Sequence, residues 1–66
     1  MSQYRLVTIK EACARTSLSR STLWRLTRDG SFPAPISISG TRKAFVAAEI
    51  DQWIERQMDQ RPDRVH

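Results

Sequence analysis

Sixty-six residues carry 11 Lys and Arg against 7 Asp and Glu, a formal net charge of +4, and only 39% of them are hydrophobic. A chain of this size forms one domain with a small core, because a 60-residue domain buries only ~60% of the surface its unfolded chain exposes. That excludes a multidomain enzyme with a deep cleft. No apolar run approaches the ~20 residues of a membrane span, and Met1-Ser2-Gln3-Tyr4 lacks the apolar stretch of a secretory signal. Cys13 is the only cysteine, so no intrachain disulfide forms, and a reducing cytoplasm suits the chain. Cys13 and His66 together fall short of the three or four ligands of a zinc site. The expectation is a small, basic, cytoplasmic domain without metal, cofactor or small-molecule ligand.

The first predicted element is a short helix. Arg5-Leu6-Val7 forms a brief apolar segment before Thr8, and Glu11 follows Thr8 by three residues, the spacing of a capping box. Ile9, Ala12 and Cys13 recur at i, i+3 and i+4 and give this helix one apolar face, ending near Arg15. Thr16-Ser17-Leu18 then reads as a tight connection. Ser19 is a good N-cap for a second helix over residues 20–29, and Gly30 stands where a left-handed residue ends it. Leu23 and Leu26, with Thr27, define its inward side. Ser21, Trp24, Arg25 and Arg28 are expected on the opposite side, with Arg20 at its edge. Two helices joined by a short turn, the second outwardly basic, make a helix-turn-helix.

Pro33 and Pro35 exclude helix from the next stretch. Ile36-Ser37-Ile38 and residues 42–46 then predict a β-hairpin with Gly40 at its tip and Arg42 and Lys43 on the returning limb, which is a wing. A third helix is expected from Glu49 to about Met58, with Ile50, Trp53, Ile54 and Met58 as its apolar stripe. Its start is poorly capped, since Ala47 and Ala48 stand where a hydroxyl or carboxylate would help. The expected fold class is α+β, mainly α: a winged helix-turn-helix of three helices with a small β-hairpin wing. It occupies residues 1–58, and 59–66 form a flexible tail.

Charge is unevenly spread. Residues 1–43 hold eight basic and two acidic side chains, and residues 44–66 hold three basic and five acidic ones. The basic excess therefore coincides with the helix-turn-helix and wing, and a field of one sign attracts a polyanion.

The runs LSRSTLWRL (residues 18–26), DGSFPAP (29–35) and EIDQWI (49–54), with Gly40, Arg42 and Phe45 between them, resemble the AlpA family of short phage and prophage regulators, relatives of MerR-type and excisionase-like winged helix-turn-helix proteins. That resemblance implies sequence-specific binding of double-stranded DNA at a phage or prophage operator, with the second helix in the major groove and the wing on the neighbouring backbone. It also implies an alternative, an excisionase-like factor that bends attachment-site DNA and works with an integrase. No dimerisation helix is visible, so a monomer is expected in solution, with cooperative self-association on DNA because one reading helix covers few base pairs. The chain departs from the family at Ser17, where Gly is common, at Ala48, where a polar cap is usual, and at Phe45, where many members have Trp.

The candidate DNA contacts are Ser19, Arg20, Ser21, Thr22, Trp24, Arg25, Arg28, Arg42 and Lys43. A guanidinium bonds a guanine edge or grips a phosphate, and both roles remain open for the arginines. Ser19 is equally a plain helix cap. Trp24 either packs on a sugar-phosphate or thymine methyl, or leans on the wing as core. Lys10 and Arg15 border the first helix as weaker phosphate candidates. An enzyme is not expected: with Gly30 and Gly40 as the only glycines there is no phosphate loop, and the lone histidine is the last residue. A protein-binding adaptor is the least supported reading, since the outward side of the second helix offers mainly Trp24 as apolar surface.

Overall fold

Local sequence signals place the first two helices. The computed structural model describes residues 4–62. Thr8 is extended, and its Oγ1 accepts a hydrogen bond from the Glu11 N–H at 3.1 Å, opening α1 (Ile9–Thr16). Only half of the expected capping box forms. The Glu11 carboxylate turns instead to Arg15 one turn on, at 3.3 Å, where a full charge is the stronger partner. Ser17 ends α1 in the left-handed region, at φ 63° and ψ 24°. Ser19 then caps α2 (Arg20–Asp29), and Gly30 closes it at φ 83°, directing its N–H to the carbonyls of Leu26 and Thr27.

Ser17 is the one non-glycine residue with positive φ among those described. A side chain there costs ~1–2 kcal/mol, from Cβ crowding against the carbonyl. Glycine removes that strain but gives back part of the gain through a freer unfolded chain. Ser17→Gly is therefore expected to stabilise the domain by ~0.5–1 kcal/mol, read as a higher urea midpoint at unchanged slope.

The hairpin forms as β2 (Ile36–Ser39) and β3 (Arg42–Val46), antiparallel, with an irregularity between Ser37 and Ser39. A third strand joins it. Leu6–Val7 pairs antiparallel with β3, Leu6 opposite Val46 and Val7 opposite Phe45, and becomes β1 in a sheet ordered β1-β3-β2. Two apolar residues carry no strand signal alone; they become a strand because β3 offers its free edge.

That pairing also explains α3 (Ala47–Asp59), which starts two residues before the predicted Glu49. Its N-cap, Val46, makes no side-chain cap. The N–H of Ala47 instead donates to the Arg5 carbonyl at 2.8 Å, so backbone beside β1 satisfies a donor that a hydroxyl would otherwise serve. The helix runs through Asp59. Of the expected tail, residues 63–66 lie outside the described residues.

The core is Val7, Ala12, Leu23, Phe32, Phe45, Ala47 and Ile50, drawn from every element except β2 and joined by the α2–β2 connection through Phe32. Ile9, Cys13, Leu18, Trp24, Leu26, Trp53 and Ile54 pack around it. Phe32 stands edge-on to both Phe45 and Trp53, with ring centroids 5.6 and 5.0 Å apart. The Trp53 indole N–H donates to the Ser31 carbonyl at 2.6 Å, tying α3 to the connection that leaves α2. The predicted stripe of α3 leaves the core after Ile54, because Met58 is 46% exposed. The architecture is α+β and mainly helical, a helix-turn-helix followed by a wing and a closing helix.

Candidate nucleic-acid interface

The interface candidates divide by where α2 turns them. Leu23 is fully buried, and Leu26 and Thr27 are half-buried beside it. The Thr27 hydroxyl donates to the Leu23 carbonyl at 2.9 Å, so this inward polar group is satisfied within the helix. At ~100° per residue, Ser21, Arg25 and Arg28 fall within one arc of ~60° on the far side, and all three are exposed. Arg20, the first residue of α2, is exposed at its end.

The hydroxyl cluster at that end is partly committed. Ser19 Oγ accepts from the Thr22 N–H at 3.2 Å and donates to Thr22 Oγ1 at 3.0 Å. Ser21 Oγ lies 3.5 Å from Ser19 Oγ and remains exposed. Ser19 therefore works as the cap, and Thr22 is half-buried against it.

Trp24 takes one of the two placements the sequence left open, leaning on the wing. It does not project with the arginines but lies half-buried on the flank of α2, its ring centroid 6.0 Å from that of Phe45 on β3. Wheel geometry alone put it outward; a large ring on a flank swings toward the nearest apolar surface, and β3 supplies one. Trp24 thereby links the outward-basic helix to the base of the wing. Arg42 and Lys43 stand exposed on the far half of β3, opposite Ser39 and Ser37.

Among the described cations, Arg15 is the one held in ion pairs. Arg15 is engaged with Glu11 at 3.3 Å and with Asp51 of α3 at 3.6 Å, so it clamps α1 to α3. Arg20, Arg25, Arg28, Arg42 and Lys43 form no ion pair with any described residue. Arg5, Lys10, Arg56 and Arg61 form none either, but α2 and the wing gather five cations against one acidic side chain, Asp29, whereas α3 carries Glu49, Asp51, Glu55 and Asp59. Among the described residues, no three His, Cys, Asp or Glu side chains cluster to hold a metal ion, and no helix is long and apolar enough to cross a membrane.

Residues 5–58, from β1 through most of α3, match the family model described as prophage CP4-57 regulatory protein (AlpA). The chain is similar to the uncharacterized protein ORF88 of Enterobacteria phage P4, with 33% identity over 54 residues. That stretch is 82% of this chain and spans 61% of the phage protein's length. No solved structure matches the chain significantly. With the family model covering both the helix-turn-helix and the wing, the chain belongs to the AlpA family of prophage regulatory proteins.

Proposed function

We propose that this protein is a sequence-specific double-stranded-DNA-binding regulator acting at a phage, prophage or integrative-element operator in the cytoplasm. One observation carries the reading: α2 and the wing present five exposed cations, none in an ion pair with a described residue, against a single acidic side chain, Asp29, on the same elements. Holding like charges together without pairing them costs stability, and a polyanion relieves that cost on binding. DNA offers one negative charge per ~1.7 Å of duplex axis.

The dimensions agree. With its side chains an α-helix is ~10–12 Å across, matching a major groove ~12 Å wide, and the 10 residues of α2 span ~15 Å of it. In this arrangement Ser21, Arg25 and Arg28 face the base edges, and Arg20 with the Ser19–Thr22 end of the helix meets a phosphate. Arg42 and Lys43 hold the flanking backbone. Trp24 sets the angle between α2 and the wing through Phe45.

Fluorescence anisotropy at ~150 mM salt tests the reading. DNA tiled across the gene's neighbourhood is compared with a random duplex in excess competitor. Tight binding to one tile is expected, with log K falling against log salt at a slope of about −4 if most of the five cations displace counterions. Equal, weak binding to every tile would refute it. A large bend on the preferred tile, measured by circular permutation, would assign the protein to the excisionase-like branch.

A further inference from the structure

Four of the large apolar side chains that stay exposed gather on one side of the molecule: Tyr4 at 73%, Leu6 at 43%, Ile36 at 44% and Ile38 at 49%. The strand register explains the grouping. Phe45 and its partner Val7 point into the core, and successive side chains leave a pleated strand by opposite faces. Val46 with its partner Leu6, and Ala44 with its partner Ile36, therefore lie on the face turned away from the core. Two shallow depressions on this side share Leu6; Tyr4, Ile36 and Glu49 border one, and Ile38 and Arg42 border the other. An antiparallel sheet packed on one side normally shows water polar residues on the other. This one shows an apolar face.

The ends of that face carry opposite charge. Arg42 stands at one and Glu49 at the other, with β3 between them, ~13 Å long at ~3.3 Å per residue. Neither side chain pairs with a described residue.

We infer that this outer sheet face is a contact surface for a second copy of the chain, related by a twofold axis. A twofold axis lying in the contact plane and perpendicular to β3 reverses the strand, so apolar residues meet apolar residues, and Glu49 of each copy faces Arg42 of the other. A partner of uniform charge satisfies only one end; a second copy satisfies both. In such a pair Arg42 turns from the DNA backbone to Glu49 of the other copy, and of the two wing cations Lys43, which borders the same depression, is the one left for DNA.

The contact is weak in free solution. Four side chains, each partly exposed, fall short of the ~800 Å² per partner of a stable complex, and the net charge of +4 opposes association. Where one duplex holds two copies side by side, the second contact becomes intramolecular and the same surface produces cooperative binding. That consequence rests on the DNA-binding reading above, whereas the contact itself does not.

The test therefore uses the whole chain without DNA. Amide ¹H–¹⁵N spectra are followed from ~2 mM to ~20 μM, where a weak contact changes population. Concentration-dependent shifts are expected around Leu6, Ile36, Ile38 and Val46 and not on the outward side of α2. Glu49→Arg or Arg42→Glu alone should weaken association at least about fivefold, and the double reversal should restore it to within about twofold. Thermal melts establish that each variant folds; Ile38→Lys replaces any that does not. Spectra that stay constant on dilution would overturn the proposal, as would single reversals without effect or a double reversal that fails to restore. Such results leave specific binding of the unaltered protein to a single DNA site untouched. Dimerisation without specific DNA binding would instead overturn only the regulatory reading.

Discussion

Phe45→Ala is expected to remove about half or more of the domain's stability. Phe45 is completely buried on the middle strand of the sheet, and its ring contacts those of Trp24 on α2 and Phe32 in the following connection. Removing a buried phenyl ring costs ~3–5 kcal/mol, through forfeited transfer energy and the cavity left behind. Native domains have ~0.05–0.15 kcal/mol of stability per residue, so 66 residues hold only about 3–10 kcal/mol in all. A core of seven buried residues has few neighbours able to close the gap, which places the destabilisation toward the upper part of its range. Urea unfolding followed by circular dichroism reads this directly. A midpoint close to that of the parent would contradict the central place of Phe45. Because Phe45 also supports Trp24, specific DNA binding should weaken together with the fold.

Arg25→Ala should have the opposite signature, with binding impaired and stability kept. Arg25 is exposed and forms no ion pair with a described residue, so its truncation should change the unfolding free energy by no more than ~0.5 kcal/mol. If it bonds a base edge, the change costs ~1–3 kcal/mol on the preferred site, a Kd higher by about 5-fold to 150-fold, and relaxes discrimination at one position. Lys43→Ala supplies the contrast. Taking one phosphate-binding cation off the wing should weaken binding to all sequences alike and flatten the salt slope by about one unit. Anisotropy titrations of both variants against the preferred tile and a random duplex, at several salt concentrations, separate the two effects. An Arg25→Ala protein that still discriminates as well as the parent would remove Arg25 from base readout.

These two substitutions also separate two kinds of information in the chain. Arg25 was legible as an outward residue because helical periodicity is local: Leu23 and Leu26 orient α2, and the arginines follow from the same rotation. Its neighbour Trp24 was legible only as a pair of alternatives, outward on DNA or inward on the wing. The wheel placed Trp24 with the arginines, while the structure draws it against Phe45, a residue 21 positions on in the sequence. Glu11 shows the same limit on a smaller scale. The spacing from Thr8 named a capping box, yet Arg15 competes for the carboxylate and wins it. The outer sheet face was invisible for another reason. Ile36-Ser37-Ile38 alternates as a half-buried strand should, but both isoleucines remain at the surface because none of the described residues covers β2.

What the sequence determined by itself is what nearest neighbours decide. Thr8 and Ser19 start helices, Gly30 ends the second in left-handed geometry, and Gly40 turns the hairpin, because caps and turns involve backbone groups within about four residues. The basic character of α2 and the wing follows from composition and needs no contacts at all. Tertiary structure alone decided that Leu6–Val7 is a strand, that α3 begins at Ala47, and that Trp24 braces the wing. Each depends on a partner far along the chain: β3 for Leu6 and Val7, the Arg5 carbonyl for Ala47, and Phe45 for Trp24. Hydrogen-bond donors and apolar surface settle on whatever the folded chain brings near them, and only folding brings those groups together.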